Sequence, residues 1–389
     1  GRHPERHQGI VNPPIVRAST VMAGSMDEWD ARKKIRATDV PGMYYGRHGT
    51  PTTQSLEEAV AELDGAYRAH VYPSGLAACV TAILSVVKSG DHLLITDSAY
   101  EPVRRFSQGY LARMGVAATF YDPRIGAGIA ELIRPQTRAI YLESPGSHTM
   151  EVQDIPAIAD IARRRGVKTI VDNTWATPLY FKPILHGVDL SVQAATKYIV
   201  GHSDAMLGVV SANQESWPAL RDVTHELGQI AGPDDAYLGQ RGFRTLHVRL
   251  QRHWENGMRL AEWLQARPEV ERVMHPGLPD DPGHALWRRD FTGASGLFSV
   301  VFKPVANEAF RNFVDSLELF HIGGSWGGYE SLVLPIAPAA SRSVTQWDAK
   351  GPALRFHVGL ENISDLLDDV AQGMKMLAGA PAKPKRSFA

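Results

Sequence analysis

The segment QAATKYIVGHSDAM, residues 193–206, places Lys197 among small and apolar residues. Most lysines lie at the surface and extend their ammonium groups into water. A desolvated lysine instead has a lowered pKa, and its neutral amine can form a Schiff base with a carbonyl group. The segment by itself is compatible with both kinds of lysine. The chemistry therefore depends on partners elsewhere in the chain.

Candidate partners for Lys197 lie at strand ends or in the turns that follow them. Asp172 ends the apolar segment KTIVD, where a carboxylate can hold a pyridine nitrogen protonated or, alternatively, cap a helix. Gly75 and Leu76 follow a short strand, and backbone N–H groups at such a turn can bind phosphate. Tyr100 follows the next strand and can stack on a planar ring. Together these residues indicate pyridoxal phosphate as the cofactor.

Alternating strands and helices position these residues. From about residue 53 to 210, short apolar strand patterns alternate with amphipathic helix patterns, which predicts an α/β fold with a mostly parallel sheet. Ligands of such sheets bind outside the carboxyl ends of the strands. Helices are predicted near residues 101–114 and 128–134, and one long helical stretch is predicted over residues 237–268. The remainder has the mixed pattern of a smaller α+β domain.

The chain divides into four predicted parts. The first is rich in turns with few periodic apolar positions, which suggests an arm lying over another surface. The last is polar and typical of a flexible tail. The parts are the N-terminal arm (1–50), the large cofactor-binding domain (51–245), the C-terminal domain (246–378) and the tail (379–389).

The composition is that of an ordinary globular protein. The 389 residues are 44% hydrophobic and 21% charged, and the net charge of −1 gives no field that favours nucleic acid or acidic lipid. The single cysteine leaves no internal disulfide, and the fifteen histidines lack the spacing of a metal site. No apolar run approaches the ~18–20 residues that span a bilayer, and the polar start lacks a secretion signal. A cytoplasmic location is predicted, without a membrane or nucleic-acid partner.

Eight motifs carry a specific family resemblance. Over roughly residues 9–376, the chain resembles the Cys/Met-metabolism family of pyridoxal-phosphate enzymes. That resemblance implies the aminotransferase fold of type I, with an N-terminal arm, a large domain and a C-terminal domain. It also implies a homotetramer built from two dimers, with active sites shared across each dimer. The motifs are YGRHGTPT, SGLAA, AYEP, ESPGS, VDNTWATP, AATKYIVGHSDAMLG, RGFRTLHVRL and ALRFHVGLEN.

The resemblance also implies a role for each matching residue around the cofactor. Lys197 resembles the lysine that bonds the cofactor, and Asp172 resembles the partner of its pyridine nitrogen. Tyr100 resembles the stacked tyrosine, with a possible second role as a proton donor. Three further residues resemble the donors that bind the cofactor phosphate: Gly75, Leu76 and Thr196.

Five more residues are implied from the arm and the C-terminal domain. Tyr45 and Arg47 resemble the pair that reaches the phosphate of the neighbouring subunit, and Tyr45 also faces the substrate there. Arg355 resembles the arginine that grips the substrate α-carboxylate with two parallel hydrogen bonds. Ser325 and Trp326 are predicted to shape the substrate side of the pocket.

Two segments favour reaction at Cβ over reaction at Cγ. The segment SWGGYES carries Trp326 where γ-acting members have leucine, and ESPGSH carries Ser147 where those members commonly have asparagine. Resemblance to the β-acting members implies β-elimination of L-cystathionine to L-homocysteine, pyruvate and ammonia in methionine biosynthesis. The alternatives are a cystathionine γ-synthase, a γ-lyase or an O-acylhomoserine sulfhydrylase of the same family. A non-catalytic regulatory protein of the same fold is the alternative from another class, which the intact lysine, aspartate and arginine disfavour.

Overall fold

The computed structural model describes residues 3–37 and 42–378. The N-terminal part contains α1 (Met26–Ala37), which lies within the segment that was expected to be rich in turns. Few apolar positions mark this helix, and ion pairs between side chains one turn apart stabilise it instead. Arg32 pairs with Glu28, and Lys33 pairs with Asp30.

A seven-stranded sheet forms the centre of the large half of the chain. Its spatial order is β1-β7-β6-β5-β4-β2-β3, and only β7 runs antiparallel to its neighbours. The predicted α/β architecture with a mostly parallel sheet is confirmed. The strands are β1 (Arg68–Tyr72), β2 (His92–Thr96), β3 (Ala117–Tyr121), β4 (Thr137–Glu143), β5 (Lys168–Asp172), β6 (Leu190–Gln193) and β7 (Gly208–Ala212).

Helices cover both faces of this sheet, so its strands are buried and nearly continuously apolar. In β5, Ile170 faces the core beneath the helix after β1, whereas Val171 faces the opposite core. These alternating contacts follow the two-residue period of a strand. The helices of this half are α2 (Pro51–Asp64), α3 (Gly75–Leu84), α4 (Glu101–Phe106), α5 (Ile155–Arg164), α6 (Thr177–Tyr180), α7 (Trp217–Glu226) and α8 (Pro233–Phe243).

Two helix predictions were wrong in extent, and a third was right in extent but not in geometry. The helix expected over 128–134 is a short 3₁₀ segment, Gly126–Glu131, because two glycines weaken it and Pro135 disfavours helical geometry before it. The helix expected near 101–114 is present: it begins as α4, passes through a π-helical turn, Ser107–Leu111, and stays helical to residue 113. There Ser107 Oγ donates to the carbonyl of Arg104 at 2.7 Å, a bond that competes with regular helix.

The long helix expected over 237–268 is divided between α8 and α9 (Leu246–Gln265). The break lies where Gly242 approaches another loop so closely that a Cβ would lie 2.1 Å from the carbonyl oxygen of Val200. Arg249, from α9, donates to the carbonyl of Gly242 at 2.7 Å and satisfies the end of α8.

A second sheet of five strands forms the smaller half. Its order is β10-β11-β12-β9-β8, and all its pairs are antiparallel except β10 with β11. An apolar core lies between this sheet and the C-terminal helices. The elements are β8 (Val270–Met274), α10 (His284–Asp290), β9 (Leu297–Phe302), α11 (Asn307–Ser316), β10 (His321–Ile322), β11 (Leu332–Ile336), β12 (Ala353–His357) and α12 (Ile363–Met374).

The two sheets occupy residues 68–212 and 270–357. The exact limits of the four predicted parts remain predictions, and the tail at 379–389 lies outside the described residues. Of the helices within 3–37 and 42–378, none has both the length and the apolar character needed to cross a membrane.

Candidate active site

Asp172 lies at the carboxyl end of β5, in the middle of the large sheet. The residue is 8% exposed, and its Oδ1 accepts hydrogen bonds from the Thr174 N–H at 3.0 Å and the Thr174 hydroxyl at 2.5 Å. The Cys79 thiol donates weakly to Oδ2 at 3.8 Å. Burial raises the pKa of Asp172. A buried carboxylate with only neutral partners is suited to a cationic N–H group from a ligand.

Glu143 is a neighbour of Asp172 that the sequence analysis did not single out. It ends β4, and its Cα is the register partner of Asp172 across the parallel pair. Its Oε2 accepts the Tyr100 N–H at 2.6 Å, which fixes the start of α4. Burial and the neighbouring Asp172 raise the pKa of Glu143 well above its usual range. The sequence does contain a signal for Glu143, because it ends an apolar strand as Asp172 does, and parallel strands bring such ends to the same sheet edge.

Lys197 follows β6 and projects into the same region. Its Nζ donates to Ser325 Oγ at 2.7 Å and lies 5.4 Å from the centre of the Trp326 ring. Burial, together with the positive charge of Arg355, lowers the pKa of Lys197 to about 8. A substantial fraction of this amine is therefore neutral near physiological pH. The structure supports a desolvated lysine and contradicts a solvated surface lysine at this position.

The N-terminus of α3 provides an anion-binding edge. Ser74 caps the helix, since its Oγ accepts the Ala77 N–H at 3.1 Å. The N–H groups of Gly75 and Leu76 are the first two of the helix and have no acceptor within it. Glycine is required at 75 because a Cβ there would lie 2.5 Å from the Cβ of Ala194.

Thr196 lies beside this edge, but its hydroxyl is already engaged. The hydroxyl donates to the carbonyl of Leu207 at 3.0 Å and accepts the Leu207 N–H at 2.8 Å. A phosphate would have to compete with this carbonyl for the hydroxyl proton. Thr196 therefore fixes the loop that carries Lys197, and its predicted contact with phosphate requires a rotation of the hydroxyl.

Arg355 approaches from β12, in the smaller half of the chain. The residue is 6% exposed, and its guanidinium donates to the carbonyls of Ser325 at 3.2 Å and Gly324 at 3.4 Å. It forms no salt bridge with any carboxylate in the described part of the chain. Burial lowers the pKa of Arg355 to about 10. A buried cation with only carbonyl partners is suited to an anionic ligand.

These groups share one cavity of about 550 Å³, within the size range of small-molecule sites. Tyr100 lies at its rim with 44% of its surface exposed, and burial of its hydroxyl raises the pKa of Tyr100. Ser325 is not among the lining residues, but it accepts a hydrogen bond from Lys197, which lines the cavity. Eight predicted residues line the cavity directly: Gly75, Leu76, Tyr100, Asp172, Thr196, Lys197, Trp326 and Arg355.

Two predicted site residues lie elsewhere. Tyr45 is 42% exposed, and Arg47 donates to the carbonyl of His225 at 2.9 Å. Neither residue lines the cavity of its own chain. Both lie on the N-terminal segment that was predicted to reach a neighbouring subunit, so their place in a site remains a prediction.

The donor set fits pyridoxal phosphate group by group. The amine of Lys197 suits the aldehyde, the carboxylate of Asp172 suits the ring nitrogen, and the N–H groups at the start of α3 suit the phosphate. The exposed ring of Tyr100 supplies a stacking surface. Arg355 lies across the cavity and is left for the carboxylate of an amino acid. No cluster of three or more potential metal-binding side chains occurs among the described residues.

Residues 1–375 match the family described as "Cys/Met metabolism PLP-dependent enzyme". The chain belongs to this family. Its cofactor is pyridoxal 5′-phosphate, and the two-sheet architecture is that of the family's fold, type I.

Individual members of the Cys/Met-metabolism family are similar over nearly the whole chain. A putative cystathionine beta-lyase of Rhizobium johnstonii is 45% identical over 377 residues, 96% of this chain and 93% of the relative. Cystathionine beta-lyase MetC of Escherichia coli is 44% identical over 380 residues, 96% and 95% of the two chains. The crystal structure of cystathionine gamma synthase from Xanthomonas oryzae is 30% identical with a TM-score of 0.87, covering 96% of this chain and 95% of that one.

Proposed function

We propose that this chain is a cystathionine β-lyase, which converts L-cystathionine and water to L-homocysteine, pyruvate and ammonia in methionine biosynthesis. The observation that carries the proposal is one cavity shared by Lys197, Asp172 and Arg355. The names of relatives 44–45% identical over nearly the full chain support the choice of reaction. Trp326, whose ring lies beside Lys197 Nζ, is the side chain that favoured reaction at Cβ.

Each of these residues has a defined task in the reaction. Arg355 binds the α-carboxylate of cystathionine and orients the Cα–H bond. Lys197 Nζ, held by Ser325, takes the proton from Cα. Asp172 keeps the cofactor's ring nitrogen protonated. When bound, pyridoxal phosphate supplies an electron sink for the electrons left at Cα.

The Cβ–S bond then breaks, and its electron pair leaves with the sulfur of homocysteine. This sulfur needs a proton, and two groups at the cavity can hold it. Lys197 Nζ carries the proton taken from Cα, and Tyr100 Oη retains its own because its pKa is raised. We assign this proton transfer to the pair, both members of which line the cavity.

We further propose a homotetramer of two dimers in the cytoplasm. The arm, residues 1–50, carries Tyr45 and Arg47 to the phosphate and substrate of the neighbouring subunit. The contact between Arg47 and the carbonyl of His225 supports this role, because an exposed guanidinium with one neutral acceptor has donors left for a phosphate.

The decisive experiment incubates the purified, cofactor-loaded protein with L-cystathionine and measures pyruvate and free thiol. Equal amounts of both are expected. Formation of 2-oxobutyrate and cysteine would instead identify a γ-lyase. A protein that binds pyridoxal phosphate but consumes no amino acid would favour the non-catalytic alternative.

A further inference from the structure

The strand β12 presents two faces with different tasks. Leu354 and Phe356 point into the apolar core of the smaller half. Arg355 and His357 alternate with them and therefore lie on the opposite face, from which Arg355 reaches the cavity. Arg355 has a role in the proposed reaction, whereas His357, which is 1% exposed, has none so far.

His357 holds the turn that follows Trp326. Its Nε2 lies 3.0 Å from the backbone nitrogen of Gly327 and 3.1 Å from the carbonyl oxygen of Gly328. Either neutral tautomer therefore has a partner, since bare Nε2 accepts the Gly327 N–H and protonated Nε2 donates to the carbonyl. Burial and the nearby ring of His253 hold the pKa of His357 well below its usual range, so the ring is neutral.

The same turn lies directly on the backbone of Lys197. Gly327 has a φ of +89°, and a Cβ there would lie 2.8 Å from the Lys197 Cα, so only glycine permits this approach. The two residues before it meet the end of the lysine side chain. Ser325 Oγ accepts the Nζ hydrogen bond at 2.7 Å, and the Trp326 ring centre is 5.4 Å from Nζ.

We propose that His357 is a positioning residue for the Lys197 amine. By bonding the turn at Gly327–Gly328, it fixes Ser325 and Trp326 against Nζ, and thereby fixes the direction from which the amine meets Cα. This role rests on the proposed function, because it matters only where Lys197 moves a proton. It links the strand that binds the substrate carboxylate to the amine that acts on the neighbouring carbon.

A buried histidine that only stabilises the fold is the competing explanation, and the chain contains a matched example. His275 is fully buried, and its Nδ1 accepts the N–H of a turn glycine, Gly277, at 2.9 Å. Within the described residues, its turn shares no hydrogen bond with Lys197 or Ser325. His275→Phe therefore measures what the loss of such a bond does to stability alone.

The test compares His357→Phe, His357→Gln and His275→Phe in the cofactor-loaded enzyme. His357→Phe should lower kcat for pyruvate release from cystathionine roughly 10-fold, as expected for one lost buried hydrogen bond between neutral groups, with KM little changed. Glutamine can accept or donate at the position of Nε2, so His357→Gln should restore kcat to within about threefold. His275→Phe should lower the melting temperature but leave kcat unchanged.

Two further measurements separate a positioning role from general damage. The rate at which pyridoxal phosphate reattaches to cofactor-free protein reports on the Lys197 amine without turnover, and His357→Phe should slow it. Combined with Ser325→Ala, His357→Phe should add little to the loss in kcat, because both changes act on one contact.

Equal melting losses in the two phenylalanine variants, with kcat and reattachment retained by His357→Phe, would assign His357 to the fold alone. Additive losses with Ser325→Ala, or no rescue by glutamine, would also overturn the proposal. A wild-type enzyme that releases no pyruvate from cystathionine would refute the proposed function instead, and reattachment would still test the effect of His357 on Lys197.

Discussion

The two walls of the cavity are built in different ways. On the wall from the large sheet, Asp172 ends a strand, Gly75 begins a helix, and Lys197 follows the next strand in the sheet. On the wall from the smaller sheet, Arg355 lies in the middle of β12, and Ser325 lies in a loop. The first wall contains groups that fit the cofactor, and the second contains groups that fit the substrate. The groups that fit the cofactor thus lie at the ends of strands and at the start of a helix, whereas those that fit the substrate come from a strand interior and a loop.

The walls also carry buried charges of opposite sign. Asp172 has neutral hydrogen-bond partners within its own wall, and Arg355 has only carbonyl partners within its own. Each wall therefore leaves one buried charge for a ligand to neutralise. Lys197 is the point of contact, because its amine bonds across the cavity to Ser325. Changes to the two walls should consequently give different losses.

The largest effect is expected at the contact between the walls. Lys197→Ala removes the amine that bonds the cofactor and takes the Cα proton, so kcat should fall by at least roughly 1,000-fold. The check is pyruvate release by the purified variant, with cofactor content measured by absorbance. Lys182→Ala, a change at a half-buried lysine outside the cavity, serves as the control and should retain activity. A Lys197→Ala enzyme that keeps normal turnover with bound cofactor would refute the mechanism.

The next effect concerns the substrate wall alone. In Arg355→Lys an ammonium replaces the planar guanidinium, so two parallel hydrogen bonds to the carboxylate become one mobile contact. Loose orientation of Cα–H costs rate as well as affinity, and kcat/KM for cystathionine should fall about 100-fold, or roughly 2.7 kcal/mol. Cofactor absorbance should stay unchanged. Wild-type kcat/KM in this variant would show that Arg355 is not the carboxylate clamp.

The difference between the cofactor wall and the substrate wall explains which parts of the site could be predicted from the sequence. The strand–helix alternation placed Asp172, Gly75 and Tyr100 at one sheet edge, because parallel strands bring their carboxyl ends together. The substrate wall depends on contacts between distant segments, such as His357 with Gly327, which local periodicity does not encode. Arg355 was predicted only through motif resemblance.

The sequence patterns also did not predict where regular helices are interrupted. The division between α8 and α9 depends on the close approach of Gly242 to Val200, which only the folded chain reveals. The engagement of the Thr196 hydroxyl with Leu207 is a similar case, because the motif gives the residue but not its rotamer. Residue types were therefore predicted better than the hydrogen bonds they form.

The third prediction concerns Arg47, which we propose to bind the cofactor phosphate of the neighbouring subunit. Arg47→Ala should weaken cofactor binding by about 1.5–3 kcal/mol, the contribution of a charge-assisted phosphate contact. The measurement is the concentration of free pyridoxal phosphate needed for half-saturation. Arg17→Ala changes another arginine of the arm, one that pairs with Asp234, and should leave cofactor binding unchanged.

Hybrid dimers locate the Arg47 contact. When Arg47→Ala subunits are mixed with Lys197→Ala subunits, a shared site places both defects in one of the two active sites and leaves the other intact. Activity should then return. Verified hybrids without recovery would mean that Arg47 serves its own subunit.

The smallest expected effect tests electrostatic coupling between the two walls, namely the influence of the Arg355 charge on the pKa of Lys197. Covalent attachment of pyridoxal phosphate needs a neutral amine, so its rate in cofactor-free protein should rise with pH through the pKa of Lys197, about 8. The positive charge of Arg355 contributes to lowering that pKa, after burial itself. Arg355→Gln keeps a polar side chain but removes the charge, which stabilises the ammonium form and raises the pKa of Lys197. The midpoint of the pH–rate curve should therefore move to higher pH, whereas Arg113→Met, on an exposed surface, should leave it in place. An unmoved midpoint in Arg355→Gln would mean that the charge of Arg355 does not influence the pKa of Lys197 and that the two walls are not coupled electrostatically.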